Sequence, residues 1–485
     1  MQPLLQLNEP RPAAPPADLG AFLSLGFRPL YLAGTAWAAI SVAIWIFAPQ
    51  WLQPPLAGVA WHAHEMLWGF VATIAVGFLL TAGATWTGLN PLRGGALAAA
   101  CGLWLVARLG FLAGGEVAFV AAATAELAFF LLAAGAMARV VVRSRNRRNY
   151  GVPALMLALA AADGAFLAAA WLGDARLMQF FQSGLLVMAV IALLIARRVI
   201  PFFAMRAVPG LQIPMHVRSG QAQVAAGVVA VTALLLGQRW LQAGALAAAG
   251  VLALAQVLAW RPLAVRHKPL LWILYAGYAG LGLGLLAAAV QAAGVELRSA
   301  VHVHLIAMAG FSVLIIGMVT RTALGHLGRA LEVDRSMVAS YALVLAAVAL
   351  RLAALWPSAL SAAALQASAL AWIAAFGLYL WRFAPSILAQ RGSVLGATGD
   401  SQGYEASQAL PYNFGARLTE YVTHPSPVPV GFWRAPGQQN GFYRECFIDE
   451  LAHTAGRDPV DYRLAMLPAG DKNRLVLEAV GLRAC

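Results

Sequence analysis

Charge is scarce in this 485-residue chain: charged residues make up 11% and hydrophobic residues 61%. Soluble domains typically carry about a quarter of their residues as charge to cover their surface. The composition therefore excludes an ordinary soluble protein and indicates a polytopic membrane protein. Cysteine is nearly absent. Cys101, Cys446 and Cys485 stand far apart without a Cys-X-X-Cys, which speaks against a disulfide framework and against a thiolate metal centre. Acidic residues are also few, 20 against 33 Lys+Arg, for a net charge of +13. The excess is local: residues 1–390 hold 24 basic and 10 acidic side chains, and residues 391–485 hold 9 and 10. Confined to the apolar part, it reads as an orientation signal and not as a nucleic-acid-binding surface. No cleavable leader is apparent in the Pro- and Ala-rich first 20 residues.

Long apolar runs are what the chain does have. A hydrocarbon core of about 30 Å needs roughly 20 apolar residues in a helix. Such runs fall near 30–48, 61–83, 95–113, 116–139, 152–172, 177–196, 221–237, 242–260, 270–291, 300–319, 337–356 and 361–383. The expectation is an all-α protein with about 12 transmembrane helices. The connecting charges alternate. Nineteen Lys and Arg fall in the N-terminus, in every second loop and after the last helix, against Arg176, Arg239 and Arg298 in the opposite loops. The positive-inside rule then places both termini in the cytoplasm. Three segments follow: 1–29, a 30–390 membrane domain, and a polar 391–485 tail expected to be a short soluble α+β-like fragment.

Two of the runs open on the same spelling. Trp61-His62-Ala63-His64-Glu65-Met66 begins one, and His302-Val303-His304 begins another 240 residues later. Ionisable groups in membrane spans are rare and tend to mark function. The helix count puts His62, His64, His302 and His304 at outer ends and His326 on the opposite side. Neutral imidazole suits copper, zinc and iron and can ligate haem axially. Residues i and i+2 stand about 200° apart on a helix, so each pair can offer only one ligand to a given point. By α-helical spacing His62 shares a face with Glu65 and Met66, and His304 with Met308. A carboxylate beside a metal-bound His and a thioether toward Cu(I) are familiar arrangements. The plainer reading is interfacial anchoring, with Trp61 and Trp68 at headgroup level. Gly77 and Gly317 fall 15 residues after the first His of each pair, and Gly88 and Gly328 fall 26 after, an echo that a Gly-rich chain can produce by chance.

Arg108, Arg351, Glu126 and Asp163 also lie within spans. Each Arg could hold a haem propionate or a substrate anion, or pair with one of the acids, or snorkel to the interface.

Several motifs resemble the NnrS family of bacterial inner-membrane proteins. They are Leu25-Gly26-Phe27-Arg28-Pro29, the Trp61–Met66 motif running into Gly69-Phe70, Gly77-Phe78-Leu79-Leu80-Thr81-Ala82 and Trp86-Thr87-Gly88. Further along come Arg197-Arg198-Val199-Ile200-Pro201-Phe202-Phe203, Pro269-Leu270-Leu271-Trp272, and Met318-Val319-Thr320-Arg321-Thr322-Ala323-Leu324-Gly325-His326. They run in order across roughly residues 20–385. The resemblance implies twelve helices and a haem- and copper-containing protein of nitric oxide response and denitrification. It carries over His62, His64, His302 and His326 as cofactor-binding positions, with Arg28 and Arg321 in its motifs. His304 is added by spacing. Many relatives place a His in helix 5 and another in helix 9, where this chain has Leu167 and Tyr275, so its cofactor set is expected to be smaller or different.

The tail resembles a fragment of the molybdenum-binding large subunit of the xanthine dehydrogenase superfamily, of the isoquinoline 1-oxidoreductase type. The similarity runs over about residues 404–480, from Pro427-Val428-Pro429-Val430-Gly431-Phe432-Trp433-Arg434 to Asp458-Pro459-Val460-Asp461-Tyr462-Arg463. Most of the pterin-binding scaffold is missing, so molybdopterin is not expected. The functional expectation is an inner-membrane haem and/or copper protein of the nitrosative-stress response, working beside a respiratory or denitrification partner and without nucleic acid. The rivals are a metal-free secondary transporter and a non-catalytic membrane partner of a respiratory complex.

Overall fold

The computed structural model describes residues 18–214, 217–295, 297–298, 300–327, 329–389 and 437–484. Residues Met1–Gly392 and Ser393–Cys485 form two compact units.

Among the described residues of the first unit there are twelve long helices: α1 (Phe27–Phe47), α2 (Gly58–Thr87), α3 (Gly94–Ala113), α4 (Glu116–Arg143), α5 (Gly151–Leu172), α6 (Leu177–Ala207), α7 (Val217–Leu235), α8 (Arg239–Ala259), α9 (Pro269–Ala292), α10 (Val301–His326), α11 (Arg335–Ala353) and α12 (Ser361–Ala389). Among the described residues, eleven are long and apolar enough to cross a membrane. The twelfth, α7, is more polar because its first turns make bonds between helices. Buried Gln223 donates to the Ala249 carbonyl of α8 at 3.4 Å. The Tyr278 hydroxyl of α9 sits between Gln223 Oε1 (3.1 Å) and Gln256 Oε1 of α8 (2.6 Å). The protein is thus an all-α, multi-pass membrane protein.

Burial sorts the helices. α2, α6, α9 and α10 bury 61–78% of their spans inside the protein, and the other apolar spans only 33–44%. The first four form the core. The rest turn Leu105, Leu109, Val117, Leu131 and Trp381 outward, where lipid covers apolar side chains that water would penalise.

The two histidine-bearing helices share an irregularity that the sequence did not announce. Three residues after His62 and after His302, each enters an eight-residue π-helical stretch, Glu65–Ala72 and Leu305–Ser312. Such wide turns often mark functional sites. Hydroxyls reinforce both. Thr73 Oγ1 donates to the Trp68 carbonyl at 3.1 Å, and Ser312 Oγ to the Ala307 carbonyl at 2.8 Å, each five residues back. The repeated spelling is therefore also a repeated backbone form. Glycines on α9 let the second stretch come close. A Cβ on Gly284 would meet Ile306 N at 2.7 Å, and one on Gly277 would meet Leu314 N at 2.7 Å. Gly328, the last member of the echo, lies outside the described residues.

Asp334 starts α11. Its carboxylate accepts from Ser336 N at 3.0 Å and Met337 N at 3.2 Å, and from Arg382 Nε at 2.7 Å. Partial burial opposes the charge, but these donors outweigh it and hold the Asp334 pKa down at about 2. A depressed carboxylate stabilises the fold above its unfolded pKa, and that contribution is lost as pH falls through the folded value. Asp334→Ala should cost about 1 kcal/mol of stability through the lost cap, read as a lower Tm in detergent at neutral pH.

The described part of the second unit contains Gly437–Thr454, Pro459–Met466 and Lys472–Ala484, all helical. No strand occurs among the tail's described residues, and residues 391–436, which the α+β-like expectation also covers, lie outside them. Arg463 ties its first two helices by donating to Asp449 Oδ1 (2.6 Å) and Glu445 Oε2 (3.1 Å), a pairing that needs only helical geometry. Arg434 and Pro427–Trp433 lie outside the described residues.

Candidate functional site

The first His-X-His pair splits, as the helix angle requires. His62 turns to a cavity between α2 and α10, where its ring stacks on Trp45 at 5.0 Å and 11°. Met66, His304, Met308 and Arg351 line the same cavity, with Phe70, Trp372 and other apolar walls. The cavity volume is about 160 Å³, and it is partly open to the exterior. His304 is a fixed tautomer. Its Nδ1 donates to the Ala300 carbonyl at 2.8 Å, which leaves Nε2 as the acceptor for Arg351 Nε at 3.1 Å. His62 Nδ1 is buried and has no hydrogen-bond partner. His302 is not among the residues that line this cavity, and its buried Nδ1 has no hydrogen-bond partner.

His64 faces the opposite way, into a dry cluster of charge. Its Nδ1 lies 2.9 Å from Glu65 Oε1, and its Nε2 lies 3.1 Å from Asp163 Oδ1 and 3.2 Å from Glu126 Oε2. Arg108 Nη1 donates to Glu65 Oε2 at 2.6 Å, and Nη2 donates to Glu126 Oε1. Trp37 Nε1 donates to Glu65 Oε2 at 2.6 Å. His64, Glu65, Glu126, Asp163 and Arg108 are at most 1% exposed. Five helices, α1 to α5, contribute one or two groups each. Phe111, Phe166 and Trp68 pack around the His64 ring and exclude water.

This corrects one expected pairing. Glu65 belongs with His64 and not with His62. On a regular helix it stands about 60° from His62 and about 100° from His64, so either side is reachable. The Arg108 guanidinium and the Trp37 indole pull it inward. Arg108 takes the internal ion pair among its candidate roles, while Arg351 meets an imidazole and no acid. Glu126 and Asp163 stand out in the sequence as intramembrane acids, but nothing in their spacing ties them to His64 some 60 to 100 residues earlier.

Gly69 makes room for this cluster. A Cβ there would press on Arg108 Nη1 and lie 2.7 Å from Glu65 Oε2 and 2.9 Å from Trp37 Nε1. Gly69→Ala should therefore destabilise by about 1–3 kcal/mol, the usual cost of overpacking, with thermal unfolding in detergent as the check.

His326 is remote from both sites. It follows His304 by 22 residues on one helix, about 33 Å along the axis. Its ring stacks on Phe27 at 5.3 Å. Nearby in sequence, Arg28 Nη1 donates to the Ile387 carbonyl at 2.9 Å and Arg321 stands 3.5 Å over the Phe203 ring. Those contacts describe helix-end packing. At the two positions where the family resemblance would lead one to expect His, Leu167 is buried apolar core and the Tyr275 hydroxyl donates to the Trp260 carbonyl at 3.0 Å.

Fold and site together define a multi-pass helical membrane protein with a histidine-lined cavity beside a buried charge network. The family described as NnrS protein matches residues 21–391, most of the chain, and the chain belongs to that family. No curated protein matches it. The family match ends before the tail, so the molybdenum-hydroxylase resemblance gains nothing from it.

Proposed function

We propose that the protein is a bacterial inner-membrane haem and/or copper protein of the nitric oxide response, with its cofactor in the cavity between α2 and α10. The observation that carries this reading is the donor set. Two imidazoles and two thioethers, His62, His304, Met66 and Met308, come from both His-X-His helices to one largely apolar cavity. Thioether and neutral imidazole suit copper, and imidazole also serves as a haem axial ligand. The partnerless His62 Nδ1 fits the same chemistry. His304 Nε2 accepts from Arg351 Nε, so its ligation to a metal requires Arg351 to turn from the imidazole to an anion, such as a haem propionate, that a guanidinium can hold. When bound, such a group supplies a redox metal able to bind nitric oxide. The protein's own part is to orient His304 through Ala300, to hold His62 against Trp45 and to keep the site poor in water. The loop charges support a cytoplasmic location for both termini, with the cavity at the outer face.

The test is purification of the full chain, a reduced-minus-oxidised spectrum and an iron and copper assay, before and after nitric oxide. Haem bands or bound copper, altered by nitric oxide, are expected. Absence of both haem and copper from folded protein sinks the proposal.

A further inference from the structure

The cavity leaves the charge cluster around His64 without a role. Three carboxylates, Glu65, Glu126 and Asp163, face one guanidinium, Arg108, so the cluster carries two negative charges more than positive ones before His64 is counted. Isolated charge is costly where nothing polar surrounds it, and an excess of this size calls for a counter-charge. Buried Asp163 Oδ2 lacks any hydrogen-bond partner, and Glu126 Oε2 faces only the shared His64 Nε2 at 3.2 Å. A single Nε2 proton on His64 can serve only one of the two carboxylates that crowd it.

We propose that His64 Nε2, Glu126 and Asp163 form a second metal site, for a divalent first-row cation of the Zn²⁺, Mn²⁺ or Fe²⁺ kind. One oxygen or nitrogen from each residue lies within 4.8 Å of the others. Nε2 is 3.1 Å from Asp163 Oδ1 and 3.2 Å from Glu126 Oε2. Ligands about 2.1 Å from a metal stand about 3.0 Å apart in an octahedron and about 3.4 Å apart in a tetrahedron, which brackets both distances. Two positive charges equal the excess of the cluster. The other face of the imidazole is arranged to match. Nδ1 meets Glu65 Oε1 at 2.9 Å, and Glu65 is in turn held by Arg108 and Trp37. A carboxylate that fixes the far nitrogen of a His in this way is the usual support of a metal-bound imidazole. The donors are one nitrogen and two carboxylates with no sulfur, which separates this site from the thioether-bearing cavity and favours a harder cation than Cu(I).

The experiment uses the purified full-length chain. Zinc, manganese and iron are measured by mass spectrometry, with haem iron subtracted by a haemochrome assay. Roughly one equivalent of non-haem divalent metal per chain is expected, surviving gel filtration in chelator. Asp163→Asn and His64→Gln should lose it, while His62→Ala should keep it and lose the cavity cofactor. If either cluster variant fails to fold, wild-type protein stripped at mild acid and reloaded with Mn²⁺ gives the answer by electron paramagnetic resonance. Folded wild-type protein that holds no such metal as isolated and takes up no Mn²⁺ overturns the proposal. So does metal that persists in folded Asp163→Asn and His64→Gln, or that departs with His62→Ala. Failure of the cavity reading would show as absent haem and copper and would leave this result standing.

Discussion

Arg108→Met is expected to collapse the yield of folded protein or lower its Tm by far more than any other single change described above. Methionine keeps an unbranched apolar stem, shorter than that of arginine, and leaves Glu65 and Glu126 without their guanidinium in a region at most 1% exposed. Breaking a buried pair by removing one partner typically costs about 3–5 kcal/mol. Arg108→Lys should recover only part, because one ammonium cannot span two carboxylates as the planar fork does. Combining Arg108→Met with Glu65→Gln and Glu126→Gln should restore more stability than Arg108→Lys, since it leaves one carboxylate, Asp163 beside His64, in place of three. Thermal unfolding in detergent, followed by size-exclusion profile, reads all of these. An Arg108→Met protein with unchanged Tm contradicts the view that this residue neutralises the cluster.

The second large effect is loss of the cavity cofactor. His62→Ala and His304→Ala should each remove most bound haem or copper, because each deletes an imidazole from one cavity. Arg351→Gln should weaken retention less, as it removes a charge and not a donor to metal. His326→Ala should leave loading unchanged, since its ring is packed on Phe27 at the far end of α10. His302→Ala separates the two halves of the second pair. It should retain cofactor, because His304 and not His302 lines the cavity. Metal analysis and optical spectra of the five variants provide the check.

Much of the architecture could be read from the chain. Apolar runs located every long helix, and the most polar of them, α7, is helical because Gln223 is used between helices. The 200° rule correctly divided His62 from His64. The failures have physical causes. Nothing in residues 65–72 or 305–312 announces π-helical turns, which follow from packing such as that of α10 against the glycines of α9. Helical spacing permits Glu65 beside His62, while Arg108 and Trp37 from other helices draw it to His64. Glu126 and Asp163 carried a signal, intramembrane charge, but their meeting at His64 is a tertiary fact that spacing along the chain does not encode.

The proposed cofactor site draws on both His-X-His helices. The most direct measurement compares haem and copper stoichiometry in wild type, His62→Ala, His304→Ala and the double variant, all in folded full-length protein. A shared site predicts that the double variant loses no more than either single variant. Independent partial losses that add in the double variant, or full loading in both single variants, would contradict it.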